Sequence, residues 1–143
     1  MAEHWRAGDL HVFRLDPGER FPDDLLPLLS GAGVKGGALS AIGAFERATL
    51  AYFDPAQARY LELAVAEQVE VVTLAGNVAS LDDGRPFAHV HAALSRRDGS
   101  VVAGHLREGI VNPALEVTVL AAGRPLRRTL DPESGLGRLD LSR

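Results

Sequence analysis

The sequence contains no cysteine, which removes disulfides, thiolate metal ligands and thiol nucleophiles in one step. Lysine is almost as scarce. Lys35 is the single Lys among fifteen basic residues, and the other fourteen are Arg. These are scattered, apart from Arg96-Arg97 and Arg124/Arg127/Arg128, and nineteen acidic residues outnumber them to leave a net charge of −4. DNA binding is therefore disfavoured, because a nucleic-acid face normally shows as a basic stripe. No apolar run approaches the roughly 18 residues of a membrane span. Met1-Ala2-Glu3-His4-Trp5-Arg6 places acidic and aromatic residues where a secretion signal would carry basic and apolar ones. A cytoplasmic protein with no membrane partner is the expectation.

What is present points to one folded domain. The 143 residues are 46% hydrophobic and 24% charged, which excludes wholesale disorder. That length suffices for a core of its own. Leu10-His11-Val12-Phe13-Arg14-Leu15 alternates as a strand does, and Asp16-Pro17-Gly18 stops it. Phe21 to Ala32 carries the one helix. With Asp24 as N-cap, Pro27 falls at the third helical position, where its missing N–H costs nothing. Leu25, Leu28 and Leu29 then share a face.

After Gly36-Gly37 the signal turns to strands. These are Ala38 to Phe45 (bent at Gly43), Arg47 to Phe53, Tyr60 to Val65, Val69 to Val78, Phe87 to Ser95, Ser100 to Leu106 and Leu115 to Leu120. Seven to eight strands with one short helix give a compact α+β domain with a largely antiparallel sheet. The expected division is an N-terminal extension over 1–9, the domain over 10–121, and a tail or docked arm over 122–143, where Pro, Gly and charge dominate.

His89 and His91 lie two apart in a strand and so share a face. Arg97-Asp98-Gly99 suits a three-residue hairpin loop, a type I turn with Gly99 in the left-handed position. That register pairs Leu94 with Val102, Ala92 with Gly104 and His91 with His105. Three imidazoles then converge, while Val90, Ala92, Leu94, Val102, Gly104 and Leu106 line the opposite, core face. A one-residue slip would lose both features. Three imidazoles without thiolates match the three-protein-ligand pattern of an open zinc site, and Ni²⁺, Co²⁺ or Fe²⁺ also suit nitrogen ligands. The same spacing also suits three histidines satisfied by hydrogen bonds.

Glu108, three residues past His105, is a candidate fourth ligand, second-shell acceptor or catalytic acid/base, against the plainer reading of a solvated carboxylate. Asn77 reads either as a backbone-satisfying Asn at a bulge or as a ligand-pocket donor. His4 and His11 read as surface or edge-strand histidines.

Several motifs in order resemble the PPC domain, the plants-and-prokaryotes-conserved domain of prokaryotic single-domain proteins and plant AT-hook nuclear-localised proteins. They are Arg14-Leu15-Asp16-Pro17-Gly18-Glu19, Leu39-Ser40-Ala41-Ile42-Gly43-Ala44, Tyr52-Phe53-Asp54-Pro55, Leu74-Ala75-Gly76-Asn77, Gly84-Arg85-Pro86-Phe87-Ala88-His89-Val90-His91 and Gly104-His105-Leu106. The resemblance implies a homotrimer. In prokaryotic members the matching histidines are proposed zinc ligands, which assigns that role to His89, His91 and His105. One departure is Ala103, where members often carry a second Gly. The DNA hook of the plant proteins is absent, since Asp83 and Ala122 stand where Gly84-Arg85-Pro86 and Gly123-Arg124-Pro125 would need a leading Arg.

Two functions of different classes follow, and a third, a DNA-associated protein, is disfavoured by the charge and the missing hook. One is a zinc-binding regulatory or binding module with a small-molecule or protein partner. The other is a zinc-dependent lyase or hydrolase acting on a small carbonyl or ester compound, with Glu108 or another nearby carboxylate as proton carrier.

Overall fold

Two long strands organise the chain, whose computed structural model describes residues 1–142. β1 spans Glu3–Ala7, β2 Leu10–Leu15 and β3 Arg20–Phe21, and helix α1 follows at Leu25–Gly31. Then come β4 (Gly37–Asp54), β5 (Arg59–Val65), β6 (Val69–Ser80), β7 (Pro86–Ser95) and β8 (Val101–Ala121). A last hairpin comprises β9 (Arg127–Leu130) and β10 (Gly137–Asp140). Pairing is antiparallel except where Ser80 of β6 meets Arg127 of β9.

β4 and β8 run side by side from Gly37 opposite Ala121 to Ala51 opposite His105. β4 also pairs with β6, β6 with β7, and β7 with β8, so four strands close into a cycle. Phe45, Leu50, Leu74, Val90, Leu94 and Leu106 are buried in the core that this cycle helps to enclose. Strands this long must bend to close, and bulges bend them. The β4–β8 register shifts at Gly43/Phe45, Phe45/Arg47 and Thr49/Leu50.

The same irregularities explain why the sequence suggests shorter strands. The expected strands leave gaps at Glu46 and over 107–114, where Asn112-Pro113 lies, yet β4 and β8 run through both. Pro113 lies between the pairs Gly43–Leu115 and Phe45–Val111, where the ladder skips and no N–H is required of it. Two pairs of expected strands thus merge, while β1, β3, β9 and β10 are additional. The helix begins at Leu25, directly after the Asp24 cap, as expected, and the residues before it are not helical. Phe21 sits in β3 opposite Gly109, and Asp24 holds the N-cap position while its carboxylate accepts the Arg20 N–H at 2.6 Å instead of a helical one. Residues read as an N-terminal extension form β1 against β2, and the segment after 122 docks on the sheet through Ala122 N–H to Gly36 O at 2.8 Å and Ser80 N–H to Leu126 O at 2.9 Å.

Candidate metal centre

The β7–β8 hairpin has the register that the sequence requires. The Arg96 N–H donates to Ser100 O at 2.8 Å, the Gly99 N–H to Arg96 O at 2.9 Å, and Gly99 has φ +82°. Leu94 faces Val102, Ala92 faces Gly104 and His91 faces His105. Val90, Ala92, Leu94 and Leu106 are buried on the core side, which fixes this pairing against slippage. β6 adds Asn77 directly opposite His89. A Cβ at the preceding Gly76 would collide with the His89 carbonyl, so only glycine lets the two strands approach there.

The three rings stand edge to face or tilted, not stacked. Centroids lie 5.3 Å apart for His89–His91, 5.2 Å for His89–His105 and 5.6 Å for His91–His105. One nitrogen from each lies within 4.8 Å of the others. Imidazoles sharing a tetrahedral ion at bonds of about 2.0–2.1 Å would hold their centroids about 5 Å apart. Nδ1 of His105 is buried and has no hydrogen-bond partner. Buried polar atoms are nearly always paired, and a divalent ion would satisfy this one. The donor set fits a metal.

Electrostatics favour the coordinating form. Burial, followed by the charges of Arg128 and His91, holds the His89 pKa below its ordinary 6.5. Burial acts most strongly on His105 too, and with His89, His91, Arg107 and Arg128 it brings that pKa down to about 4. Both imidazoles are therefore neutral at pH 7, as a ligand must be.

Around the rings stand side chains that the sequence did not single out. Tyr60 lies over His105 at 5.0 Å, and the Arg107 guanidinium lies 4.8 Å above the Tyr60 ring. Arg128 reaches in from β9. Its Nη2 donates to Asn77 Oδ1 at 2.8 Å and faces His89 Nδ1 at 3.1 Å, while Nη1 donates to Gly137 O at 2.7 Å. A guanidinium offers donors only, so this contact places the lone pair of neutral His89 at Nδ1. A cavity of about 490 Å³ opens beside His89 and His105, walled by Tyr60, Phe87, Arg107, Arg128, Leu130 and Leu136 among others.

The remaining candidates are placed elsewhere or otherwise. Glu108 is not among the three-histidine group: it accepts from Arg20 at 2.9 Å and lines a small separate depression with Arg47 and Thr49. Asn77 anchors Arg128, and the β6 register shift lies at Val71/Thr73, away from it. His11 corrects the edge reading, being only 2% exposed and held by His4 at 3.0 Å. Phe87 carried a signal as part of the strand into His89. Arg128 carried none, because its place depends on β9 meeting β6, a contact that no local periodicity encodes.

A sequence profile of the Plants and Prokaryotes Conserved domain matches residues 3–123. No curated protein matches the chain. Among solved structures, a candidate DNA-binding protein from Bacteroides thetaiotaomicron is 29% identical with a TM-score of 0.94, covering 100% of this chain and 99% of that one. A metal-containing protein from Archaeoglobus fulgidus is 30% identical, with a TM-score of 0.83 and 96% of each chain covered. A plant- and prokaryote-conserved protein from Pyrococcus horikoshii is 26% identical, with a TM-score of 0.84 over 100% of this chain and 96% of that one. With the profile spanning most of its length and the fold shared end to end, the chain belongs to the Plants and Prokaryotes Conserved domain family.

Proposed function

We propose that this protein is a metal-binding module in which His89, His91 and His105 hold one divalent ion, Zn²⁺ first, beside a cavity for a partner molecule. The observation that carries this is the convergence of three imidazoles at a point where Nδ1 of His105 is buried and unpaired. The description of the Archaeoglobus relative as metal-containing supports it. An ion held by three side chains supplies a Lewis acid with one position open. The lone pair of His89 faces Arg128, so the guanidinium and the ion compete for it. The zinc-lyase or hydrolase reading needs a proton carrier at the ion; Glu108 is committed to Arg20 instead, and among the described residues no carboxylate joins the three-histidine group. The binding reading is therefore preferred.

Self-association as a homotrimer belongs to the same proposal. Tyr52 faces Leu61 across β4 and β5, and with Leu63 they form an exposed apolar strip, each at least 40% exposed. Such strips mark contact surfaces. Light scattering coupled to size exclusion should give three chains per particle, and a concentration-independent monomer would refute it. The DNA-binding description of the Bacteroides relative does not suit the charges of this chain. Arg128 is buried, Arg85 and Arg96 are paired with Asp83 and Glu67, and the net charge is −4. A gel shift with AT-rich duplex at physiological salt should show no sequence-dependent complex.

Elemental analysis after zinc-supplemented dialysis tests the metal itself. Wild type should hold one ion per chain, and His89→Ala, His91→Ala and His105→Ala should each lose it. His4→Ala and His11→Ala should retain it. Stoichiometric metal in His105→Ala would overturn the site.

A further inference from the structure

Arg128 is the most unusual charge in the molecule. The residue is only 6% exposed, yet its hydrogen-bond partners are all neutral: Gly137 O, Asn77 Oδ1 and His89 Nδ1. Among the described residues no carboxylate lies within ion-pair distance of it, and its Nε is buried with no hydrogen-bond partner at all. A guanidinium cannot shed its proton, and a buried charge without a counter-ion is costly unless something supplies one. The other two cations lining the same cavity already have acids beside them. Arg85 is 2.6 Å from Asp83, and Arg107 is 4.0 Å from Glu62.

The cavity that Arg128 lines has room for more than an ion. At about 490 Å³ it falls in the ordinary range of small-molecule sites, roughly 300–1,000 Å³. Leu81, Phe87, Leu130, Leu136 and the Tyr60 ring give the cavity its apolar wall, and Asp82, Asp83, Arg85 and Arg107 line it as well. Phe87 lies against the guanidinium at 5.8 Å and helps keep it from water. Among these charges Arg128 is the buried cation with no acid bonded to it, and beside the apolar wall it favours a negative charge carried on an apolar body. Arg is also the side chain best matched to a planar, two-oxygen anion.

We propose that the cavity binds small monocarboxylates with an aliphatic or aromatic body, and that Arg128 supplies the counter-charge that recognises the carboxylate. The apolar body lies against Phe87, Leu130 and Leu136. A carboxylate seated in the cavity beside the guanidinium gives that charge its counter-ion, and the arm bearing Arg128 is thereby held on the sheet. This recognition does not depend on the three-histidine metal. It belongs to the arm, outside the span of the family profile, which ends at residue 123.

The test is ligand-observed NMR with a panel of four- to eight-carbon carboxylic acids, each compared with its own primary amide. The amide keeps size and shape and removes only the charge. The panel is run on metal-free protein (dialysed against chelator) and again with zinc added. Metal-free wild type should bind at least one acid tenfold or more tightly than its amide. Arg128→Met should bind the two alike, Arg128→Lys should keep part of the preference, and Arg124→Met, on the exposed start of the arm, should keep all of it. Should Arg128→Met fail to fold, Arg128→Lys and the wild-type acid–amide ratio decide. Equal binding of acids and amides by metal-free wild type, no binding of either, or a preference that survives in Arg128→Met would overturn the proposal. A preference that appears only with zinc would assign anion recognition to the ion and overturn it as well, while leaving the metal site standing.

Discussion

Five histidines fall into two groups, and the groups use the same ring in opposite ways. His4 and His11 lie on the β1–β2 hairpin with rings nearly parallel, 3° apart, and His4 stacks on Phe13 at 4.4 Å. Their facing nitrogens, His4 Nε2 and His11 Nδ1, serve each other at 3.0 Å. His89, His91 and His105 instead meet at interplanar angles of 74°, 40° and 85° and leave Nδ1 of His105 unpaired. Stacked rings that pair their nitrogens behave as packing. Rings meeting by their edges, with a nitrogen left over, behave as a ligand set. Burial does not separate the two cases, since His11 at 2% exposed is the most buried of the five. Nitrogen satisfaction does.

The comparison breaks most readily with zinc. An ion that binds only the folded chain stabilises it by about 2.7 kcal/mol at a free concentration a hundredfold above its dissociation constant. Adding zinc should therefore raise the melting midpoint of wild type and of His11→Ala alike. It should leave His105→Ala unmoved. A zinc response lost in His11→Ala but kept in His105→Ala would reverse the assignment of the two groups.

Replacing the packing histidine should cost fold rather than metal. His11→Ala removes a ring from a site with almost no solvent access and leaves His4 without its partner, at an expected cost of about 2–4 kcal/mol. His11→Phe keeps the ring volume and should recover part of that loss. Urea unfolding of metal-free protein measures both. If His11→Ala were neutral, the stack would be incidental.

Acid should weaken both groups in metal-free protein. Burial, aided by Arg6 and His4, keeps the His11 pKa below its ordinary 6.5, and His105 is brought down to about 4. The unfolded chain takes up protons at these positions near pH 6.5, while the folded chain resists. Stability is therefore present above pH 6.5 and is lost as pH falls from there toward about 4. The carboxylates of Asp16, Asp83, Asp98 and Asp131 have pKa values lowered from 3.8, so their contribution is lost below this window. His105→Gln should flatten part of the slope in melting midpoint between pH 6.5 and 4. An unchanged slope would show that His105 is not held neutral by its surroundings.

How much of this was legible depends on the range of the contact. The β7–β8 register could be read because two local signals agree, the Arg97-Asp98-Gly99 turn and the alternation of Val90, Ala92, Leu94 and Leu106. Agreement between turn chemistry and core pattern leaves one register, and the three histidines follow from it. The strand boundaries could not be read so well, because β4 and β8 pass through bulges where Glu46 and Pro113 imitate breaks. Arg128 and Tyr60 were out of reach. They come to the site from β9 and β5, through pairings that neither segment's own pattern announces.

The smallest expected effect concerns Glu108, the acid that sequence proximity placed nearest the site. It pairs with Arg20 at 2.9 Å, and the two side chains are 45% and 55% exposed. Exposed ion pairs contribute little, because water solvates either partner nearly as well. Glu108→Gln should leave the melting midpoint within error of wild type in metal-free protein. It should leave the zinc response untouched too, because its carboxylate is spent on Arg20 and does not join the three imidazoles. Both are read in a single thermal-shift experiment with and without zinc. A lost or halved zinc response in Glu108→Gln, with the metal-free midpoint unchanged, would mean that Glu108 leaves Arg20 to serve the ion. The proton-carrier role, and with it the enzyme reading, would then return.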